Sequence, residues 1–309
     1  MTTELAGAPI DVRNVSRWYG DVVAVNDISF SVGPGITGLL GPNGAGKSTL
    51  LHMISGFLRP SAGTVEVHGE APWRNPSLFR RVGLVPEREA VYSFLGARGL
   101  ARASACLHGL ADPDEAAARA VSLVELEDAQ DRPMGGYSKG MRQRAKIAAA
   151  LVHDPEVLIL DEPFNGTDPR QRLQLMEMLR RRAAEGRTIL FSSHILEEVE
   201  RLAENVLVIV NGRLAASGHF HQIRRLMTDR PHAFELRSSD NRALAAALVG
   251  LPHVSAIQLH DGRLDVRTSD FGAFTAQIAR TARDCSVTLH ELRPADESLE
   301  SVFSYLVGS

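Results

Sequence analysis

The sequence predicts an α/β domain over about the first 220 residues, followed by a smaller α+β domain. Apolar strand patterns alternate with helical patterns as far as "VLVIVNGRLAASG", an order typical of layered α/β folds. Beyond residue 231 the order changes to strand, helix, strand, strand, helix, strand. A chain of 309 residues is long enough for two domains of ordinary size.

Composition restricts the possible functions. Hydrophobic residues make up 44% and charged residues 23%, as in soluble globular proteins. The net charge of −3 argues against general attraction to nucleic acid or anionic membranes. Cys106 and Cys285 lie too far apart in sequence to indicate a disulfide framework or a metal cluster. We find no secretory signal and no run long enough to cross a bilayer, so we expect any membrane span to belong to another chain.

The first domain is predicted element by element from its periodicity. Three strands are expected in "IDVRNVSRWY", "VVAVNDISFSV" and "GITGLL", then a helix over 47–58 and a hairpin strand in "AGTVEVHGE". Residues 96–130 favour helices. The short apolar runs "EVLILDEP" and "TILFSS" indicate strands buried on both faces, and the helix between them ends at Gly186. Asn211-Gly212 predicts the turn of a final hairpin.

The second domain is predicted to have the ferredoxin-like order. Strands are expected in "HAFELRS", "VSAIQLH", "RLDVRTS" and "SVTLHELR", with helices in "NRALAAALVGL" and "FGAFTAQIARTARDC". Asp261-Gly262 marks a tight turn between the two middle strands. A seam over residues 219–231 separates this domain from the first.

The stretch "GPNGAGKST" fits the phosphate-binding P-loop pattern G-x-x-x-x-G-K-[ST]. It follows an apolar strand and opens a helix, as the motif requires, which disfavours the alternative of a plain glycine-rich turn. Backbone N–H groups of such a loop bind phosphate oxygens, the lysine reaches the β- and γ-phosphates, and the serine hydroxyl can bind Mg²⁺. We therefore expect nucleotide binding by Gly41, Pro42, Asn43, Gly44, Ala45, Gly46, Lys47, Ser48 and Thr49.

Two acidic residues end the buried strand "VLILDEP". An unpaired carboxylate in that position is costly, and a metal ion removes the cost. Asp161 is therefore interpreted as a ligand of Mg²⁺, and Glu162 as a base that polarises the attacking water. An Asp-Glu pair at a strand end can also be a helix cap or a salt bridge; the P-loop favours the catalytic interpretation.

His194 follows the next buried strand, in "LFSSH". A histidine in that position is by default a packed or hydrogen-bonded side chain. However, the carboxyl ends of parallel strands in one sheet meet at one crevice. We therefore expect His194 to lie near Glu162 and the γ-phosphate and to act in catalysis with Glu162 and Lys47.

The stretch "YSKGMRQR" places positive charge at the start of a helix, where the helix dipole favours anions. It is either the entry of a core helix or a docking site for an anion. Taken in order, "GPNGAGKST", "YSKGM", "VLILDEP", "NGTD" and "SSH" resemble the nucleotide-binding subunits of ATP-binding cassette (ABC) transporters. The resemblance covers about residues 9–220, and ordinary P-loop ATPases lack the middle element.

The resemblance implies roles for further residues. "YSKGM" becomes the signature motif, in which Ser138 and Gly140 face the γ-phosphate held by a second subunit. Tyr19 corresponds to the aromatic residue that stacks on adenine, although a half-buried strand tyrosine is the alternative. Asp168 corresponds to the carboxylate that links the two sites of a dimer. Glu87 stands where most members have a glutamine that senses Mg²⁺ and contacts the membrane subunit.

Several positions depart from the family pattern. Lys139 and Met141 replace the usual Gly and Gln of the signature, and Thr167 replaces the Leu of "NGLD". Residues 95–100 lack the usual Thr and Glu. The ending "DESLESVFSYLVG" and Glu87 resemble the type-2 (ABC-2) exporters, although the ending also fits a plain amphipathic helix.

The resemblance predicts an ABC ATPase domain over 9–220, with an antiparallel β subdomain and a helical subdomain at about 88–145, and an accessory domain over 231–309. The expected cofactors are ATP and Mg²⁺. The expected partners are a second copy or a homologous ATPase subunit and ABC-2 type permease subunits, at the cytoplasmic face of the membrane. The basic run "LRRRAAEGR" fits a solvated helix end better than a nucleic-acid site.

Two alternative functions remain open from the sequence. Soluble cassette ATPases of translation or repair tend to carry two cassettes or a long coiled-coil insertion, neither of which is found here. A binding module that uses ATP only as a switch is disfavoured because Glu162 and His194 are both present.

Overall fold

The computed structural model describes residues 7–88, 91–219 and 232–294. The chain divides into two compact units, which separate after Gly218. The strands of the first unit are β1 (Ile10–Tyr19), β2 (Val22–Val32), β3 (Gly35–Leu40), β4 (Ala62–Val67), β5 (Val82–Val85), β6 (Val157–Leu160), β7 (Thr188–Ser193), β8 (Asn205–Val210) and β9 (Arg213–His219). Its helices are α1 (Lys47–Ile54), α2 (Ala97–Leu107), α3 (Pro113–Leu123), α4 (Lys139–Leu151), α5 (Pro169–Ala184) and α6 (Leu196–Leu202).

A six-stranded sheet in the order β5-β6-β7-β3-β8-β9 forms the centre of the first unit. Strands β5, β6, β7, β3 and β8 are paired in parallel. Every residue of β6 and β7 is buried, as predicted from the short apolar runs "VLIL" and "ILF" within them. The carboxyl ends of β6, β7 and β3 therefore lie side by side along one edge of the sheet.

A smaller antiparallel sheet in the order β2-β1-β4 packs beside α1. The strand predicted in "AGTVEVHGE" is present as β4, which pairs with the distant β1, while an isolated antiparallel bridge joins Val67 to Glu70. Pairing with β1 places Val65 and Val67 in a core that contains Leu50, Leu51 and Ile54 of α1. Helix α1 ends four residues before the predicted Leu58, because Gly56 takes a φ of +76° that a helix does not allow.

The helical part of the first unit contains α2, α3 and α4, which contact one another. Its packing faces are built from alanines, three on α2 and three on α3, all buried. Side chains this small allow the helices to pack closely. The helical prediction for residues 96–130 is confirmed, with the helix over 97–107 followed by that over 113–123.

The second unit has the predicted β-α-β-β-α-β order. It comprises β10 (His232–Ser238), α7 (Asn241–Leu248), β11 (Val254–His260), β12 (Arg263–Thr268), α8 (Phe271–Asp284) and β13 (Leu289–Pro294). The sheet order is β11-β12-β10-β13 with antiparallel pairs throughout. Its own core is built on Phe234, Leu236, Phe274 and Ile278.

Two predicted features cannot be compared with the fold. The ending "DESLESVFSYLVG" and most of the seam at 219–231 lie outside the described residues. In the part of the chain that the structure describes, no helix has the length and apolarity needed to cross a bilayer.

Candidate functional site

The phosphate loop connects the carboxyl end of β3 to the first residue of α1, Lys47. Gly46 precedes the helix with a φ of +101°, and an added Cβ would lie 2.4 Å from the carbonyl oxygen of Ala24. Only glycine fits this position. The turn at Asn211-Gly212 contacts the loop, because the Gly212 N–H donates to the Ala45 carbonyl at 3.1 Å. The loop is thus held by two neighbouring segments.

Lys47 is buried, and its ammonium group faces the loop. Nζ donates to the carbonyl oxygens of Gly41 at 2.9 Å and Pro42 at 3.3 Å. It also lies 3.6 Å from Oε1 of Glu162, which is itself buried. An opposite charge at this distance compensates part of the desolvation cost of both groups. An ion pair that is buried from solvent therefore joins the phosphate loop to the end of β6.

Glu162 also contacts the histidine that follows the neighbouring strand. Its Oε2 lies 2.9 Å from Nδ1 of His194. Glu162 has a φ of +49°, a left-handed conformation that is costly for a residue with a side chain. Asp161 and Glu162 consequently direct their carboxylates to different partners. The structure brings together Lys47, Glu162 and His194, which are far apart in the sequence.

Asp161 is held by a serine of the next strand. Ser192 Oγ donates to Asp161 Oδ1 at 2.5 Å and accepts the backbone N–H of Glu162 at 2.9 Å. The other oxygen, Asp161 Oδ2, is buried and has no hydrogen-bond partner among the described residues. A buried anionic oxygen without a donor is costly, and a divalent cation removes that cost. The Asp161 carboxylate and the Ser48 hydroxyl are the hard oxygen ligands that Mg²⁺ prefers, so this part of the site fits that ion.

The stretch "YSKGMRQR" forms the start of α4. Ser138 is the exposed N-cap, and its Oγ accepts the N–H of Met141 at 3.2 Å. Gly140 is buried against the loop before α5: an added Cβ would lie 2.6 Å from Gln171 Oε1 and 3.0 Å from the Gly166 carbonyl oxygen. Asp168 caps α5 by accepting the Gln171 N–H at 2.9 Å. The helix start therefore rests on the "NGTD" loop of its own chain, with Ser138 left exposed.

Comparison with known proteins assigns this arrangement to a family. The family model described as "ABC transporter" matches residues 25–165. Nod factor export ATP-binding protein I of Burkholderia lata is 42% identical over 228 residues, 70% of this chain and 72% of that protein. Daunorubicin resistance ATP-binding protein DrrA3 of Streptomyces coeruleorubidus is 32% identical over 309 residues, 98% of this chain and 97% of that protein.

The chain belongs to the ATP-binding subunits of ABC transporters. A solved structure described as the ATP-binding subunit of an ABC transporter shares 31% identity and superposes with a TM-score of 0.65, covering 71% of this chain and 92% of that one. The protein is thus an ATP-binding ABC ATPase, and the fold class inferred from its motifs is confirmed.

Two predicted residues of the ABC ATPase, Tyr19 and Glu87, have contacts other than the triad of buried Lys47, buried Glu162 and exposed His194. Tyr19 ends β1 half-exposed, and the guanidinium carbon of Arg17 lies 4.8 Å from its ring centroid. The Arg17 guanidinium therefore forms a cation–π contact with the Tyr19 ring. Glu87 is exposed in the segment after β5, where its backbone carbonyl accepts from Lys146 at 3.4 Å.

The sequence treated the two serines of "SSH" only as neighbours of His194, and both have structural partners. Ser192 orients both acidic residues after β6, as described above. Ser193 Oγ donates to Oε2 of Glu198 at 2.7 Å, and Arg172 of α5 lies 3.5 Å from Oε1 of the same carboxylate. Burial raises the pKa of Glu198, with Ser193 and Arg172 opposing the shift. Adjacent polar residues at the end of an apolar strand were the available signal for this network.

Proposed function

We propose that the chain hydrolyses ATP·Mg²⁺ as one half of a dimer and thereby powers an ABC-2 type exporter. The observation that supports hydrolysis is the contact of the buried Glu162 carboxylate with both Lys47 and His194 at the end of the phosphate loop. A plain nucleotide-binding module needs the loop alone. A carboxylate held between an ammonium and an imidazole is suited to take a proton from water.

Each residue of the triad has a distinct proposed role. Glu162 accepts the proton of the attacking water, and the contact with His194 Nδ1 fixes the direction of its carboxylate. Lys47 is placed to neutralise charge on the terminal phosphates. Mg²⁺, when held by Ser48 and Asp161, supplies charge neutralisation at the same phosphates, and Glu87 is a further candidate ligand. The nine residues 41–49 bind the phosphates, and Tyr19 stacks on adenine.

The exposed start of α4 supports the proposed dimer. Ser138 caps the helix but remains accessible, so a phosphate carried by a second subunit can reach the helix N-terminus. Gly140 and Asp168 would then hold this helix start in place through contacts within the same chain. We propose that the second subunit is another copy or a homologous ATPase.

The relatives support export as the purpose of hydrolysis. Their names describe Nod factor export, daunorubicin resistance and bacitracin transport. We propose that this chain likewise works beside membrane permease subunits at the cytoplasmic face of a membrane. A soluble ATPase of translation or repair is not favoured by these relatives.

Replacement of Glu162 by Gln tests the catalytic role. The change removes a proton acceptor but keeps the shape of the side chain, so ATP affinity should stay near that of the parent. Phosphate release should fall by about 100- to 1,000-fold or more. The matched control is Glu197→Gln, an exposed glutamate of α6, which should keep full turnover. Turnover of Glu162→Gln within a few-fold of the parent would exclude Glu162 as the base.

A further inference from the structure

Lys146 lies inside α4, the helix that begins at the signature stretch, and is buried with 7% of its surface exposed. Burial of an ammonium group is costly unless strong acceptors surround it. Nζ donates to the carbonyl oxygens of Pro86 at 2.7 Å, Glu87 at 3.4 Å and Arg88 at 2.9 Å. Three consecutive carbonyl groups thus lie within hydrogen-bond distance of one ammonium group, which is a strong donor.

The three carbonyls belong to the segment that follows β5 and carries Glu87. Residues 86–88 are in neither a helix nor a strand, so no hydrogen-bond ladder of their own fixes their conformation. Charge-assisted hydrogen bonds are stronger than neutral ones and have defined directions. The backbone of this segment is therefore positioned by a side chain of α4.

A second contact joins the same two elements. Gly83 of β5 faces the backbone of α4, and an added Cβ would lie 2.6 Å from the carbonyl oxygen of Ala150. Strand β5 thus lies close against the backbone of α4 at Gly83. The segment after β5 contacts α4 through the ammonium group of Lys146.

We propose that Lys146 is a positioning residue that ties the Glu87 segment to the signature helix. Docking of the exposed helix start onto a nucleotide is thereby transmitted to Glu87 in the same chain. The predicted effect of Lys146 on ATP turnover rests on the proposed function. The contact of Lys146 with residues 86–88 is a property of the folded chain and does not. Lys146 touches no reacting atom and acts through Glu87.

The tie can be tested without any nucleotide, by limited trypsin digestion. Arg88 is exposed, and its backbone carbonyl accepts a hydrogen bond from Lys146 at 2.9 Å. In Lys146→Met, which keeps the length and loses the charge, cleavage after Arg88 should accelerate on the order of tenfold, because a few charged hydrogen bonds no longer oppose local opening. Mass analysis of the fragments identifies the bond that is cut.

Arg144→Met provides a matched control on the same helix. Arg144 Nη1 also donates to backbone carbonyls, those of Val124 at 3.0 Å and Glu125 at 2.8 Å, but these belong to a different segment. Cleavage after Arg88 should be unchanged in this variant. If Lys146→Met does not fold, as judged by tryptophan fluorescence, Lys146→Gln is used instead. The glutamine side chain is uncharged, and it is too short to reach the three carbonyls.

A double-mutant cycle tests the coupling to Glu87. Lys146→Met should lower ATP turnover and shift the Mg²⁺ dependence in the parent, yet change neither in a Glu87→Ala background. Equal effects in both backgrounds, or trypsin cleavage after Arg88 at the parental rate, would overturn the proposal. A parent protein without ATPase activity would refute the proposed function instead, and the digestion would still decide whether the tie exists.

Discussion

Acidification from pH 7 to pH 5 should destabilise the first unit through His153. The imidazole of His153 is stacked on that of His108, with ring centroids 3.7 Å apart and planes 9° from parallel. Burial and the neighbouring His108 lower the pKa of His153 to about 4, and the hydrogen bond with the Val82 carbonyl opposes the shift only in part. Burial and Arg80 lower the pKa of His108 as well.

The sign of the effect follows from proton linkage. A histidine in the unfolded chain has a pKa of about 6.5, so between pH 6.5 and pH 4 the unfolded state binds a proton that the folded state does not. The stabilisation by neutral His153 is complete above the unfolded pKa and is lost as the pH falls towards the folded pKa. Stability therefore decreases on acidification.

The magnitude can be worked from the same shift. At about 1.36 kcal/mol per pKa unit, the full shift corresponds to at most ~3 kcal/mol, of which ~2 kcal/mol is lost between pH 7 and pH 5. His153 is partly exposed, and solvent screening should reduce the loss to about 1 kcal/mol.

Urea unfolding followed by tryptophan fluorescence measures this loss. The chain has two tryptophans, Trp18 and Trp73, both in the first unit, so the signal is specific to it. Between pH 7 and pH 5 the parent should lose about 1 kcal/mol more stability than His153→Gln. The control His290→Gln, in the second unit, should behave as the parent. Equal losses in the parent and His153→Gln would refute the reasoning.

The remaining predictions concern the nucleotide. In Lys47→Ala the phosphate loop loses its charge, so even the dilute monomer should bind ATP weakly by calorimetry. Ser138→Arg should bind ATP nearly normally as a monomer. In a Glu162→Gln background, however, it should fail to form the ATP-dependent dimer that light scattering detects. An equal loss of monomer ATP affinity in Lys47→Ala and Ser138→Arg would mean that Ser138 acts on the nucleotide of its own chain. The chain truncated after about residue 225 should still bind ATP, because the first unit contains every nucleotide motif and its own core; a folded truncation that binds no nucleotide would contradict this.

Local pattern was sufficient for most of the secondary structure. Strands β6 and β7 were predictable because a short, mostly apolar run is typical of a strand buried on both faces. The turn at Asn211-Gly212 was predictable because both residues accept positive φ, and both have it here. The partner of β4 was not predictable, since pairing with β1 depends on contacts between segments about 50 residues apart.

The sequence by itself determined the class of site. The order of "GPNGAGKST", "VLILDEP" and "SSH" identifies the ligand, because a glycine-rich loop between a strand and a helix has few other uses. The family followed from "YSKGM" in the same way. These are local signals: each depends on a few neighbouring residues and the turn that they form.

Only the tertiary structure decided how these residues touch. Lys47, Glu162 and His194 meet because β3, β7 and β6 are neighbours in the sheet, and no short-range pattern specifies that strand order. The same holds for Ser192 between Asp161 and Glu162, and for the ammonium group of Lys146 against the carbonyls of 86–88. Hydrogen bonds and ion pairs act over about 3 Å in space, whatever the separation in sequence, so a contact between distant segments exists only once the core has placed them together.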